Sequence, residues 1–204
     1  MTGPIRVLLA DDQALIRGAF AALLGLESDI VVIAEVGSGD QVVPAAVQHR
    51  PDVALLDVQM PGLDGLAAAA ALTDQLPSCR VIILTTFGRP GYLRRAMEAG
   101  ATGFLVKDVP PEQLVDAIRR VHSGLRVVDP QLAADTLTMG TSPLTGRERD
   151  VLVAASAGGT VAQVAKTLFL SEGTVRNHLS AAIGKTGAAT RAEAIRLATD
   201  RGWL

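Results

Sequence analysis

At 204 residues the chain can form one large domain or two ordinary ones, each able to bury a core. Apolar residues make up 49% and charged residues 20%, with one cysteine, Cys79, which excludes low-complexity and disulfide-stapled architectures and fits a reducing compartment. The net charge of −2 hides an asymmetry, because residues 141–204 hold eight Lys/Arg against five acids while the first 140 carry −5; the two parts are expected to meet different partners.

No run of about 18 apolar residues suggests a membrane span. In the opening MTGPIRVLLADD, acids interrupt the apolar stretch too early for a signal peptide. A cytoplasmic protein with no membrane partner is expected.

Short aliphatic runs come at Ile5–Ala10, Ile30–Val36, Val53–Leu56, Val81–Leu84 and Gly103–Val106. They are continuous rather than alternating, as in strands covered on both faces. Between them, Ala14–Leu24, Gln41–Gln48, Gly65–Gln75, Gly91–Ala99 and Pro111–His122 show helical spacing. Strands and helices in alternation predict a doubly wound α/β domain with a five-stranded parallel sheet.

In such a sheet the binding crevice lies beyond the carboxyl ends of the strands. Asp11 and Asp12 follow the first strand, Asp57 the third, Thr85 and Thr86 the fourth, and Lys107 the fifth. Three carboxylates, a hydroxyl and an ammonium therefore converge on one edge. Clustered carboxylates need a cation, and all-oxygen ligation with room for water suits Mg²⁺. A carboxylate such as Asp57 can act as a nucleophile and form an aspartyl-phosphate. Thr85 could then donate to a phosphoryl oxygen, and Lys107 could pair with its charge.

Asp11-Asp12, Asp57-Val-Gln-Met-Pro-Gly-Leu-Asp-Gly65, Leu84-Thr-Thr86 and Lys107 together resemble the signature of the CheY-like receiver domain, over residues 5–122. The resemblance implies Asp57 as phosphoacceptor and Mg²⁺ held by Asp12, Asp57 and the backbone carbonyl of Gln59, with Asp11 helping through water. It also implies Thr85 and Phe104 as a switch pair and Lys107 as the phosphoryl sensor. Asp108 departs from the pattern, since many receivers have proline there; a different loop shape is expected, with phosphorylation retained.

Residues 123–142 carry Gly, Pro and Ser at both ends and are expected to form a linker, with some order near Gln131–Leu137. Thr145-Gly-Arg-Glu148, Thr160-Val-Ala-Gln163 and Thr190-Arg-Ala-Glu193 each match the capping box, and Ser171 suits a further N-cap. Helices over 145–156, 160–168, 172–184 and 190–201 follow. The second and third are separated only by Phe169–Ser171, the spacing of a helix-turn-helix.

On the third of these helices Val175, Leu179 and Ile183 should face a core, leaving Gly173, Arg176, Asn177, Ser180 and Gly184 on the opposite face. Small residues with one Arg and one Asn can enter a major groove closely, Arg pairing with guanine and Asn with adenine. Thr174 joins this candidate DNA surface, and Lys166, Lys185 and Arg191 suit phosphates. Leu144-Thr-Gly-Arg-Glu148, Val164-Ala-Lys-Thr-Leu168, Ser171-Glu-Gly-Thr-Val-Arg-Asn-His178 and Lys185 resemble the LuxR-type helix-turn-helix. The whole chain thus resembles a NarL/FixJ-type response regulator: receiver 1–122, linker 123–142 and DNA-binding domain 143–204. That resemblance implies a sensor histidine kinase, double-stranded promoter DNA, a homodimer formed on phosphorylation and RNA polymerase as partners, with the last helix contributing to dimerisation. Val161, Ala162 and Gln163 replace more usual Asn, Lys and Glu, and Ser180 stands where some relatives carry a basic contact. Fewer basic contacts predict weaker, less salt-sensitive DNA binding.

Two other functions fit less well. A Mg²⁺-dependent phosphohydrolase typically needs a second carboxylate two residues after the nucleophile for acid–base work, and Gln59 occupies that place. A dinucleotide enzyme needs a glycine-rich loop after the first strand, where Ala10-Asp-Asp-Gln13 stands instead. A regulator working without phosphorylation stays open, though the complete set of Asp11, Asp12, Asp57, Thr85 and Lys107 argues against it. No enzyme in the ordinary sense is expected.

Overall fold

The structure, a computed structural model, describes residues 3–86, 90–130, 132–134 and 142–204. The chain forms two compact units, the first comprising Met1–Gly88 and Leu93–Ala133, the second Ala134–Leu204 with Arg89–Tyr92.

The first unit is built on strands β1 (Ile5–Ala10), β2 (Ile30–Val36), β3 (Val53–Asp57), β4 (Arg80–Thr85), β5 (Gly103–Val106) and β6 (Val127–Val128). All pair in parallel, in the order β2-β1-β3-β4-β5-β6. Helices α1 (Ala14–Leu24), α2 (Val42–His49), α3 (Gly65–Gln75), α4 (Pro90–Glu98) and α5 (Pro111–His122) connect them. The continuous apolar runs are explained by cover on both faces. Val7, Leu9, Val53, Leu55, Ile82, Leu84 and Leu105 pack with Leu24 of α1 and Leu114, Ile118 and Val121 of α5. The two-residue period turns Leu8, Leu56, Ile83 and Phe104, all fully buried, to the other face. β1 is flanked by β2 and β3, so the chain reverses its order of laying strands there and opens a crevice at their carboxyl ends.

The sheet has six strands where the sequence predicts five. β6 is only Val127–Val128, which extends the edge by pairing with Gly103 and Phe104. Two residues are too few to register as a strand pattern, and they lie within the stretch expected to be a linker. Of the order expected near Gln131–Leu137, residues 132–134 are helical, while Gln131 and 135–137 lie outside the described residues. Peptide bonds among the described residues are all trans, including that to Asp108.

The second unit has helices α6 (Gly146–Ser156), α7 (Val161–Leu168), α8 (Glu172–Thr186) and α9 (Arg191–Asp200). Val151, Leu152, Val164, Val175, Leu179, Ala194 and Trp203 form its core. Thr145 with Glu148 and Thr160 with Gln163 form complete capping boxes, and Ser171 caps α8 by accepting from the Thr174 N–H. The third expected box is only half made. Thr190 accepts from the Glu193 N–H, but the Glu193 carboxylate takes the N–H of Ala189 at 2.8 Å instead of that of Thr190. The cause is backbone: Thr190 has φ −137°, against −71° and −69° at Thr145 and Thr160, which turns its N–H away from the helix.

Candidate functional sites

The parallel register aligns Ala10 with Leu56, Asp57 with Leu84 and Thr85 with Val106. Asp11, Asp57, Thr85 and Lys107 therefore emerge together at the carboxyl edge. Asp11, Asp57 and Thr85 are buried, and Asp12 is exposed at the rim. One oxygen from each of the three carboxylates lies within 4.8 Å of the others. The Lys107 ammonium sits 2.7 Å from Asp11 and 3.2 Å from Asp57. Both contacts are ion pairs between buried groups.

Hydrogen bonds to main chain or side chain hold Lys107, Asp11 and the loop after Asp57. The Lys107 N–H donates to the Thr85 carbonyl at 2.7 Å, fixing where its side chain departs. The Gln13 N–H donates to the Asp11 carboxylate at 2.9 Å, and Arg17 reaches the Asp11 carbonyl at 2.6 Å. Asp57 is supported from the loop that follows it. The Gly65 N–H donates to the Val58 carbonyl at 2.9 Å, and a Cβ on Gly65 would stand 1.8 Å from the Asp57 carbonyl oxygen. Gly62 turns the loop at φ 76°, where a Cβ would meet the Asp40 carboxylate at 2.3 Å. Gln59 is exposed in that loop, two residues beyond Asp57. Sequence reasoning missed Arg17 and the supporting role of Gly65, although the latter lies inside the motif it singled out.

Burial pushes the Asp57 carboxyl above its usual range, with Lys107 opposing the shift. One ammonium against three carboxylates leaves the pocket short of positive charge, and its oxygen-only donors fit a hard divalent cation. Thr85 and Phe104 lie on the same face of adjacent strands, Phe104 fully buried opposite Ile83. Cys79 is remote in role: burial pushes its thiol up to about 12, leaving an unreactive core residue.

In the second unit α7, a short turn and α8 form the helix-turn-helix. Val175 and Leu179 are buried and Ile183 half-buried, while Gly173, Arg176, Asn177, Ser180 and Gly184 are exposed on the other face of α8. Thr174 is half-buried, its hydroxyl 2.8 Å from that of Ser171. Lys166 is exposed on α7.

Three other cations expected to meet DNA have partners inside the protein. Arg176 donates to Glu172 at 2.7 Å on the helix surface. Lys185 donates to both oxygens of the buried Glu148 at 2.9 and 2.8 Å, which, with the Thr145 N–H, holds that carboxyl below its usual range. Arg191 donates to the Ala155 carbonyl at 2.6 Å. Lys185 and Arg191 therefore brace α8 and α9 against α6, a role no local pattern discloses.

Comparison with known proteins follows the same division. Residues 7–119 match the response regulator receiver domain, and residues 142–198 match the bacterial regulatory proteins of the luxR family. The chain is 41% identical over 200 residues to the transcriptional regulatory protein DesR of Bacillus subtilis, covering 98% of this chain and 99% of that protein. Among solved structures, the response regulator ChrA of a heme-sensing two-component system is 34% identical, with full coverage of both chains and a TM-score of 0.59. RcsB of Salmonella enterica serovar Typhimurium, bound to a promoter, shares the fold at 22% identity, with 97% and 99% coverage and a TM-score of 0.70.

Proposed function

We propose, for a chain that belongs to the response regulators with a receiver and a LuxR-type DNA-binding domain, that phosphorylation of Asp57 gates its binding to DNA. It is a transcriptional regulator of the two-component type. Residues 1–122 receive the signal, 123–142 link, and 143–204 bind promoter DNA. The observation that carries it is the Lys107 ammonium shared between buried Asp11 and Asp57 at the strand edge.

A carboxylate oxygen of Asp57 attacks the phosphorus of a phosphohistidine on a sensor kinase. The P–N bond breaks, its electron pair leaves with the imidazole, and an acyl phosphate remains on Asp57. Lys107 pairs with a phosphoryl oxygen, and the Thr85 hydroxyl donates to another. Mg²⁺ held by Asp11, Asp12, Asp57 and the Gln59 carbonyl would neutralise charge on the transferring group. The lost freedom of the Thr85 hydroxyl biases the packing of Phe104, two residues before Val106 on β5, and so the outer surface of the unit. Two copies then associate, and α8 of each enters a major groove about one helical turn from the other. Arg176 and Asn177 read bases, Ser180 and Thr174 lie close to them, and Lys166, with the remaining donors of Lys185 and Arg191, meets phosphates. The cytoplasm is the compartment, and RNA polymerase is a further partner at the promoter. Among the described residues no helix is long and apolar enough to cross a membrane.

The test is incorporation of phosphate from acetyl phosphate with Mg²⁺, comparing wild type with Asp57→Asn and sizing each product. An Asp57-dependent adduct with a dimer is expected. A folded wild type that takes up no phosphate would refute the gating.

A further inference from the structure

Phe169 stands in the turn between α7 and α8, 96% exposed as a residue and with its backbone left-handed, at φ 55° and ψ 43°. Both features are unfavourable for phenylalanine. Glycine is the usual residue in that conformation and asparagine the next, and an aromatic ring in water adds nothing to a core. The turn does not need the ring. The Phe169 N–H donates to the Lys166 carbonyl at 3.4 Å and the Leu170 N–H to the Ala165 carbonyl at 2.9 Å, a Schellman closure made by main chain alone. Leu170 supplies its apolar contact by packing on the core of the unit. That closure sends Leu170 inward and Phe169 outward.

The surroundings name an occupant. Phe169 lies two residues before the Ser171 cap of α8, the helix that exposes Gly173, Arg176 and Asn177, and three residues after exposed Lys166 of α7. The part of the chain from 141 onward carries the excess of Lys and Arg. When a helix-turn-helix docks, its first helix crosses the DNA backbone and the start of the second reaches base edges. The turn between them lies along the rim of the groove, where deoxyribose carbons and thymine methyls are the apolar groups on offer.

We propose that Phe169 is a DNA contact whose ring packs on deoxyribose carbons at the groove rim and on a thymine methyl where one is present. The inference rests on the DNA-binding reading of α8. It supplies a chain short of basic contacts with binding surface that carries no charge.

The test uses full-length protein with acetyl phosphate and Mg²⁺, and duplexes that the wild type selects from random-sequence DNA. Phe169→Gly and Phe169→Asn suit the left-handed turn, so their melting temperatures should equal or exceed that of wild type. Their affinity for the selected duplexes should nevertheless fall about tenfold, from loss of partial burial of the ring. The dependence of affinity on salt should keep its slope, because no ion pair is removed. Phe169→Tyr should bind as wild type does. Undiminished binding by the Gly and Asn variants, while Arg176→Ala loses it, would overturn this proposal and leave the DNA reading standing. Loss of binding in step with melting temperature would also overturn it, as would a change of oligomeric state without a change in affinity per dimer. A wild type that selects no duplex would overturn both together.

Discussion

Replacing Gly65 by alanine tests how Asp57 is held. The added Cβ would stand 1.8 Å from the Asp57 carbonyl oxygen and 2.8 Å from its carbon. Ordinary contact begins near about 3.4 Å, so one main chain must retreat from the other by about 1.6 Å. Neither is free to do so. Asp57 closes the fully buried strand β3, and Gly65 opens α3 directly after its Asp64 cap, with its N–H on the Val58 carbonyl. Overpacking against rigid backbone should cost about 3 kcal/mol, or on the order of 10 °C in the melting temperature of the receiver. Any relief displaces the nucleophile, and a shift of about 1 Å can slow a positioned reaction roughly 100-fold. Urea unfolding gives the first quantity, and the rate of labelling by acetyl phosphate the second. A Gly65→Ala protein with wild-type stability and labelling rate would show that the loop yields freely, and would remove Gly65 from the support of the site.

Burial raises the pKa of Asp57, so its ionisation opposes folding; in metal-free protein Asp57→Asn should raise the melting temperature at neutral pH. Below the ordinary carboxylate range the acid is neutral in both states and the gain should vanish, growing as pH rises from the ordinary value and complete once it has passed through the raised folded one; a gain independent of pH would contradict the cause assigned. Mg²⁺ should raise the melting temperature in proportion to ln(1 + [Mg²⁺]/Kd), and Asp12→Ala should abolish that rise, read by calorimetry with Ca²⁺ and Na⁺ as comparisons. Thr160→Ala removes the hydroxyl that accepts the Gln163 N–H at 3.3 Å, and should destabilise the helical unit by about 1 kcal/mol in denaturant titration.

The site edge was legible in the sequence because two independent signals coincide there. Uninterrupted apolar runs marked the strands, and Asp57, Thr85 and Lys107 fell at their ends, where the register then places them together. What stayed hidden depends on distant segments. Gly65 faces Asp57 through a loop closure, and Lys185 meets Glu148 from 37 residues away. Helical periodicity turns a lysine outward but does not say whether a buried carboxylate is waiting beside it. The half-made box at Thr190 shows the same limit on a smaller scale, since its three-residue spacing matched and its φ did not.

The pairing of Arg176 with Glu172 sets a threshold for that guanidinium. A guanidinium that already donates to a carboxylate one turn away offers little net charge to an arbitrary stretch of phosphates. If Arg176 reads bases as proposed, the group that draws it off must better that one hydrogen bond, as the two acceptors of a guanine edge would. It must also tolerate the released Glu172, which sits at the positive end of α8 where DNA brings its own negative charge. An exposed pair of this kind is worth at most about 1 kcal/mol, so the barrier is low. On the proposed DNA-binding reading it applies at every site visited and is offset where better acceptors lie in place, which would shorten the stay on the wrong ones.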